Sequence, residues 1–274
     1  MYVDRPATLR EALELMASAD KPLTPVAGGT DLLVSWHHRD KSNLRLLDLS
    51  RIRGELNGIR FDDEHLELGG LSTFWDAMMS PEVKSEFPLL VDAARQVGAV
   101  QIQTRGTWAG NIANASPAAD GVAALMAYDA IVVHESTTGR TETPLDRFYT
   151  GYKQTVRKPG EIITAIRMPR RPRIHEWFCK VGARRAQAIA KVGTAIVNDA
   201  AGWRVVAASV APYVCRCRNL ETQLQQGATF RTPDDVRKVL GADISPIDDI
   251  RSTAAYRANV LSRLIFFWLK ENML

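Results

Sequence analysis

An α+β protein of two domains is what this sequence predicts, and three observations carry that expectation. Residues 1–55 open with an apolar strand–helix–strand pattern that can form a small subdomain of its own. Residues 56–170 carry a hairpin, two helical patterns and two further strands, completing a first domain over residues 1–170. Beyond residue 171, three strands are followed by three helices, the segregated order of a separate α+β domain over 171–274. A chain of 274 residues is long enough for two such cores.

Taken in order, Thr8 and Glu11 form a capping box, and Leu9, Ala12, Leu13, Leu15 and Met16 supply a helical stripe that Pro22 ends. Leu23 to Ala27 reads as a short strand running into Gly28-Gly29-Thr30-Asp31, and Leu44 to Leu49 as a buried one. Ile59–Asp62 and His65–Leu68 alternate across a polar turn, as hairpin strands do. Helical patterns follow at Thr73–Met79 and Pro88–Gln96. Gly98 to Asp120 is rich in Gly, Ala, Ser, Thr and Asn, and it reads as a long loop with too little apolar periodicity for a core element. A loop of that length inside a compact domain is usually functional. Ala123–Met126 reads as buried, and Ala130–His134 and Ile162–Met168 as strands, the last closed by Pro169. Arg170–Arg173 combines Pro with charge and marks the domain boundary. Trp177–Val181, Ile189–Val197 and Arg204–Val210 are the later strands. Arg218–Gln226, Thr232–Leu240 (with Thr-Pro as N-cap and N1) and Arg251 to Lys270 are the helices.

Composition narrows the class. Apolar residues at 46% and charged residues at 24% are globular values, and a net charge of +4 is a weak field for this length. The densest basic stretch, Arg167 to Arg173, is broken by Pro169 and Pro172 and has no interleaved aromatics, which argues against nucleic-acid binding. Three cysteines, Cys179, Cys215 and Cys217, make no disulfide framework and fall short of the four thiolates of an iron–sulfur cluster. With no apolar leader and no run of 18 apolar residues, the chain reads as cytoplasmic, without a membrane span. Asn114-Ala-Ser116 is then no glycosylation site.

Two glycine-bearing loops carry the chemistry. In Val26-Ala-Gly-Gly-Thr-Asp-Leu32, adjacent glycines let the backbone take positive φ and converge its N–H groups on a phosphate, unless the segment is an ordinary strand–turn corner. It matches neither the Rossmann nor the P-loop pattern. In the second, Thr104 to Asp120, small side chains leave the backbone accessible. There Thr107, Asn111, Asn114, Ser116 and Asp120 offer groups suited to sugar and phosphate oxygens, with Asp120 placed to accept from vicinal hydroxyls.

Ala27-Gly-Gly-Thr-Asp-Leu-Leu33, followed by Thr107, Gly110-Asn111, Asn114-Ala-Ser-Pro117 and Asp120, resembles the FAD-binding (medium) subunits of the xanthine dehydrogenase and carbon monoxide dehydrogenase family of molybdenum hydroxylases. The likeness continues through Glu161-Ile-Ile163, Phe178-x-Lys180-x-Gly182, Val210-Ala-Pro212 and Ser252-x-Ala-x-Tyr-Arg257. It implies a two-subdomain FAD-binding fold of the vanillyl-alcohol-oxidase-like type, plus a small C-terminal domain. It also implies that Pro25, Val26, Ala27, Gly28, Gly29, Thr30, Asp31 and Leu32 wrap the pyrophosphate of FAD. Val97, Gly98, Thr107, Gly110, Asn111, Asn114, Ser116 and Asp120 are then expected to line the cofactor, with Ile163 and Lys180 near the isoalloxazine. A lysine there stabilises negative charge on reduced flavin; as an alternative, Lys180 is a plain strand-edge residue.

The function implied is an electron relay. FAD would take electrons singly from a 2Fe-2S small subunit and pass them to NAD+ or a quinone, while a separate molybdenum-cofactor large subunit oxidises the substrate. No general acid or base is expected in this chain. FAD is expected without a covalent link, since neither loop holds His or Cys, and Asp at Gly28 or Gly29 is expected to abolish its binding. Departures from the family pattern are Ala109 before Gly110 and Ala188 where an acidic residue is common. Trp108 either stacks on a ring or packs, and His37-His38 reads as a surface pair. A stand-alone flavin oxidase and a non-catalytic assembly subunit are the rival readings.

Overall fold

The computed structural model describes residues 1–34, 36–38 and 44–273, with the backbone alone at His38. The chain begins with β1 (Tyr2–Asp4), α1 (Leu9–Ser18), β2 (Thr24–Val26), β3 (Arg45–Asp48) and the short α2 (Arg53–Leu56). Thr8 caps α1 by accepting from the Glu11 N–H, but the Glu11 carboxylate returns to the N–H of Ala7, one residue before the expected cap. β3 lies between β1 and β2, parallel to both. Pro25, which has no N–H to donate, is tolerated because β2 is an edge strand. Ala12 and Leu13 of α1 cover Leu23, Leu47 and Leu49 in a small core.

The second subdomain holds β4 (Ile59–Phe61), β5 (His65–Gly69), α3 (Phe74–Met79), α4 (Pro81–Glu86), α5 (Pro88–Gln96), α6 (Val100–Gln103), α7 (Trp108–Asn114) and α8 (Asp120–Ala127). It continues through β6 (Ile131–Ser136), β7 (Gly139–Pro144), β8 (Tyr149–Gly151), β9 (Gln154–Thr155) and β10 (Ile162–Pro169). The hairpin pairs as expected, with Ile59 opposite Leu68 and Phe61 opposite Leu66. A five-stranded antiparallel sheet results, in the order β4-β5-β10-β6-β7. β10 is buried on both faces: Ile162 faces the small core, and Ile163 and Ile166 face the main one. Beyond Asp120, α8 is apolar all round, and every residue in it is buried, so it forms the centre of the main core rather than its rim.

One expectation fails here. Gly98–Asp120 is not a loop; it contains α6 and α7 and enters α8. Trp108 and Ile112 are fully buried, and Ala109 and Ala115 pack beside them. The small residues that made the stretch look loop-like let α7 lie close against α8 and β10.

The last part of the chain contains β11 (Arg173–Val181), β12 (Val192–Asp199), β13 (Gly202–Ala208), β14 (Cys215–Arg216), α9 (Arg218–Gln225), α10 (Pro233–Leu240) and α11 (Ala254–Met273). The sheet has four strands, not three, because Cys215–Arg216 pairs with Val206–Ala207. Its two faces serve different cores. Val206 and Ala208 point into the main core with Ala195 and Val197, whereas Val205 and Ala207 join Ile196 under α9, α10 and α11. Thr232 and Asp235 form a complete capping box with Pro233 at N1. Among the described residues, no helix is long and apolar enough to cross a membrane.

The basic run ahead of β11 is tied down. Arg170 pairs with Glu86, Arg171 with Asp129, and the Arg173 guanidinium lies over the Phe87 and Tyr128 rings at 4.4 and 4.6 Å. Asp129, with φ +53, also faces Arg204 and Arg216, and Arg204 in turn holds Asp199; both Arg204 and Asp199 are buried.

Candidate functional site

The two glycine-bearing segments meet. Gly28 lies so close to Arg105 that a Cβ there would collide with the carbonyl oxygen and come within 2.6 Å of its carbon. Gly29 is different: its φ is +70 and the nearest atom to a Cβ would be 3.8 Å away. The segment needs glycine twice, for close approach at Gly28 and for a left-handed backbone at Gly29. Ala27, Gly28, Ser50, Arg53, Thr104, Arg105 and Thr107 line a cleft at this contact. Thr107 caps α7, its hydroxyl accepting from the Gly110 N–H at 3.0 Å, while its neighbour Gly106 receives the Phe74 N–H.

At the far end of loop 25–32, Asp31 accepts from Asn114 Nδ2 at 2.9 Å. Ser116 is turned inward, its hydroxyl accepting from the Ala118 N–H, after Ala115 ends α7 with φ +49. Asn111 sits on α7 with its Oδ1 buried and, among the described residues, without a donor, close to Gly121, where a Cβ would come 2.8 Å from that oxygen.

Asp120 and Lys180, expected in separate roles, form one unit. Lys180 Nζ donates to Asp120 Oδ2 at 2.6 Å and to the Gln96 carbonyl at 2.8 Å, and both side chains are buried. Val97 and Gly98 follow Gln96 directly, and Gln103 Nε2 holds the Val97 carbonyl at 3.2 Å. β11 is an edge strand, so Lys180 is an edge lysine as in the plainer reading, yet it is spent on a buried ion pair. Ile163 lies in the other sheet, on β10, where its carbonyl presses on Gly70. The polar partners of Lys180 are Asp120 and the Gln96 carbonyl, not Ile163.

Trp108 packs. Its ring is fully buried, 4.6 Å from that of Phe74, and Nε1 donates to the Thr73 carbonyl. His37 is exposed, and the His38 half of the expected surface pair lies outside the described side chains. The segment around Ala188 belongs to the exposed connection between β11 and β12. Cys179, Cys215 and Cys217 are free thiols. Sequence reasoning missed Lys153, which donates to the Oδ1 and carbonyl of Asn114. No sequence pattern links positions 39 residues apart.

Burial drives the Asp120 carboxyl up to about 6, with Lys180 pulling it back down. The native state therefore keeps a proton that the unfolded chain releases near 3.8, and stability should fall as pH rises from about 4 to about 6. That loss amounts to about 3 kcal/mol in flavin-free protein. Urea titrations from pH 4 to 7 should show it in the wild type and not in Asp120→Asn. Parallel curves for the two would mean that Asp120 titrates normally.

Comparison with known proteins now bears on this site. A sequence family described as the FAD binding domain in molybdopterin dehydrogenase matches residues 2–171. The chain belongs to this family. Residues 177–271 match a second one, the CO dehydrogenase flavoprotein C-terminal domain. The carbon monoxide dehydrogenase medium chain of Hydrogenophaga pseudoflava is 29% identical over 268 residues, covering 95% of this chain and 92% of that one. The nicotinate dehydrogenase FAD-subunit of Eubacterium barkeri is 35% identical over 205 residues, 72% of this chain and 69% of that one. In the solved structure of the Hydrogenophaga pseudoflava enzyme lacking the Mo-pyranopterin moiety, a chain superposes with a TM-score of 0.89 at 28% identity, covering 100% of this chain and 97% of that one. This FAD subunit is thus an oxidoreductase component of the molybdenum hydroxylase family, and its cofactor is FAD.

Proposed function

We propose that this subunit is an electron relay, taking electrons from a 2Fe-2S small subunit and delivering them to NAD+ or a quinone. A separate molybdenum-cofactor large subunit oxidises the organic substrate. In this reading residues 1–170 carry the flavin, residues 171–274 complete the subunit, and the assembly is cytoplasmic; three free thiols support a reducing compartment.

The observation that carries the placement of FAD is a pair of buried acceptors. Asn111 Oδ1 and Asp120 Oδ1 find no donor among the described residues. Leaving such atoms unpaired costs on the order of 1–3 kcal/mol each, and FAD offers hydroxyl and N–H donors of the kind they lack. The residues therefore fit the cofactor. Loop 25–32, backed by Arg105, would hold the pyrophosphate through its backbone N–H groups, with Thr107, Gly110, Asn114 and Ser116 beside it. Val97, Gly98, Asp120 and Lys180 would close another part of the site, and Ile163 would border it from β10. When bound, FAD supplies the redox chemistry, and the chain supplies binding, orientation and exclusion of water.

The test is reconstitution. The isolated chain should reduce a dye weakly with a reduced nicotinamide and should not oxidise purines, aldehydes or N-heterocycles. Adding the molybdenum and iron–sulfur subunits should restore turnover from substrate to acceptor. Rapid flavin reduction by an organic substrate in the isolated chain would overturn the relay and favour a stand-alone oxidase.

Flavin should also be released on acid precipitation, because no His or Cys lies in residues 25–32 or 104–120. Yellow colour retained in the washed pellet would show a covalent link.

A further inference from the structure

Loop 25–32 contains a carboxylate as well as its glycines. Asp31 lies in the turn that would cradle a pyrophosphate, where like charge repels. Its Oδ1 is held by Asn114 Nδ2 at 2.9 Å. The other end of the same amide, Asn114 Oδ1, accepts from Lys153 Nζ at 2.8 Å, and this ammonium also donates to the Asn114 carbonyl at 2.9 Å. The orientation of the amide is therefore determined: flipped, it would set its NH2 against an ammonium and its oxygen against a carboxylate.

Three segments distant in sequence converge through these contacts: the glycine loop, the last residue of α7 and the turn between β8 and β9. Lys153 occupies that turn with φ +57, a conformation that costs a non-glycine residue about 1 kcal/mol. Among the described residues, no carboxylate forms an ion pair with Lys153. Among those residues, the side-chain hydrogen bond of Lys153 is to Asn114.

We propose that Lys153 is a positioning residue for the FAD pyrophosphate, acting through Asn114 to pin Asp31 and to offset its charge beside the phosphates. The proposal rests on the placement of the pyrophosphate at loop 25–32. Lys153 itself need not touch the cofactor.

Equilibrium titrations of the flavin-stripped full chain test it, with FAD and with riboflavin, which lacks phosphate. Lys153→Met should weaken FAD about three- to tenfold at low ionic strength, and the loss should shrink as salt is added. Riboflavin affinity and the unfolding midpoint should stay at wild-type values. Lys153→Arg should restore most of the FAD affinity. Asp31→Asn combined with Lys153→Met should do the same, because the uncompensated carboxylate is gone. Unchanged FAD binding in Lys153→Met, an equal loss for riboflavin, or a double variant no better than Lys153→Met would each overturn the proposal. Gly28→Ala, run alongside, separates the two levels: if it also binds FAD normally, the placement of the pyrophosphate has failed.

Discussion

Gly28→Ala is expected to purify with little or no flavin, its affinity for FAD reduced about a hundredfold or more, equivalent to about 2.7 kcal/mol. The added methyl cannot coexist with the Arg105 carbonyl, and both partners in the collision are backbone, so no side chain can swing aside. Loop 25–32 must retreat from residues 104–107, and the N–H groups proposed to hold the phosphates would lose their aim. Gly29→Ala is the matched comparison. A Cβ there meets nothing nearer than 3.8 Å and carries only the strain of φ +70, about 1–2 kcal/mol. The two neighbours should therefore differ clearly, in contrast to the equivalence expected of aspartate at either position. Flavin absorbance per protein after purification, followed by fluorescence titration, measures the difference. A fully yellow Gly28→Ala protein would place the pyrophosphate elsewhere.

Lys180→Met should lower the stability of the flavin-free protein by about 3–5 kcal/mol, since it leaves the Asp120 carboxylate buried without its counter-charge. For a chain of this size that is on the order of 10 °C in unfolding midpoint. The Gln96 carbonyl loses its donor as well. Part of the loss should be recovered at pH 5, where Asp120 takes up a proton more readily, and in Lys180→Met combined with Asp120→Leu, where no charge is buried. A midpoint within 2 °C of wild type (roughly 0.5–1 kcal/mol) would show that the pair is hydrated. The variant also separates two ideas about this lysine, because a cation serving only the reduced flavin would leave the flavin-free protein unaffected.

The parts legible in the sequence were those with a strong local signal. Alternation around a polar turn placed the β4–β5 hairpin in register, and Thr232-Pro233 placed the start of α10. β7 was missed because nearly all of its residues are exposed and it carries no apolar pattern; it pairs with β6 along the backbone ladder, with a side-chain hydrogen bond between His134 and Thr143. α7 was misread because alanine, glycine and asparagine make up most of its residues and mask its short buried stripe. Even so, Trp108, Ile112 and Ala115 stand at helical spacing behind the N-cap Thr107, a signal present but outweighed by composition. The two glycine segments stood out in the sequence, whereas their mutual contact at Gly28 and Arg105 did not, because nothing local encodes it. The same holds for the Asp120–Lys180 pair, 60 residues apart, whose members had been given unrelated tasks.

The inner face of the C-terminal sheet has a consequence for how this chain is made. Phe178, Ala195, Val197, Val206 and Ala208 complete the core that α8 and its neighbours begin. During synthesis, the N-terminal part emerges with that side uncovered, and its lid is still on the ribosome. At about 5–20 residues per second, the roughly 40 residues up to the end of β13 take about 2–8 s to follow. For that interval an alanine-rich helix and the Phe87 and Tyr128 rings face water or a chaperone, before Arg173 can settle over them. Nascent chains stalled just after residue 171 should therefore be aggregation-prone, and they should lose that tendency once β13 has cleared the exit tunnel.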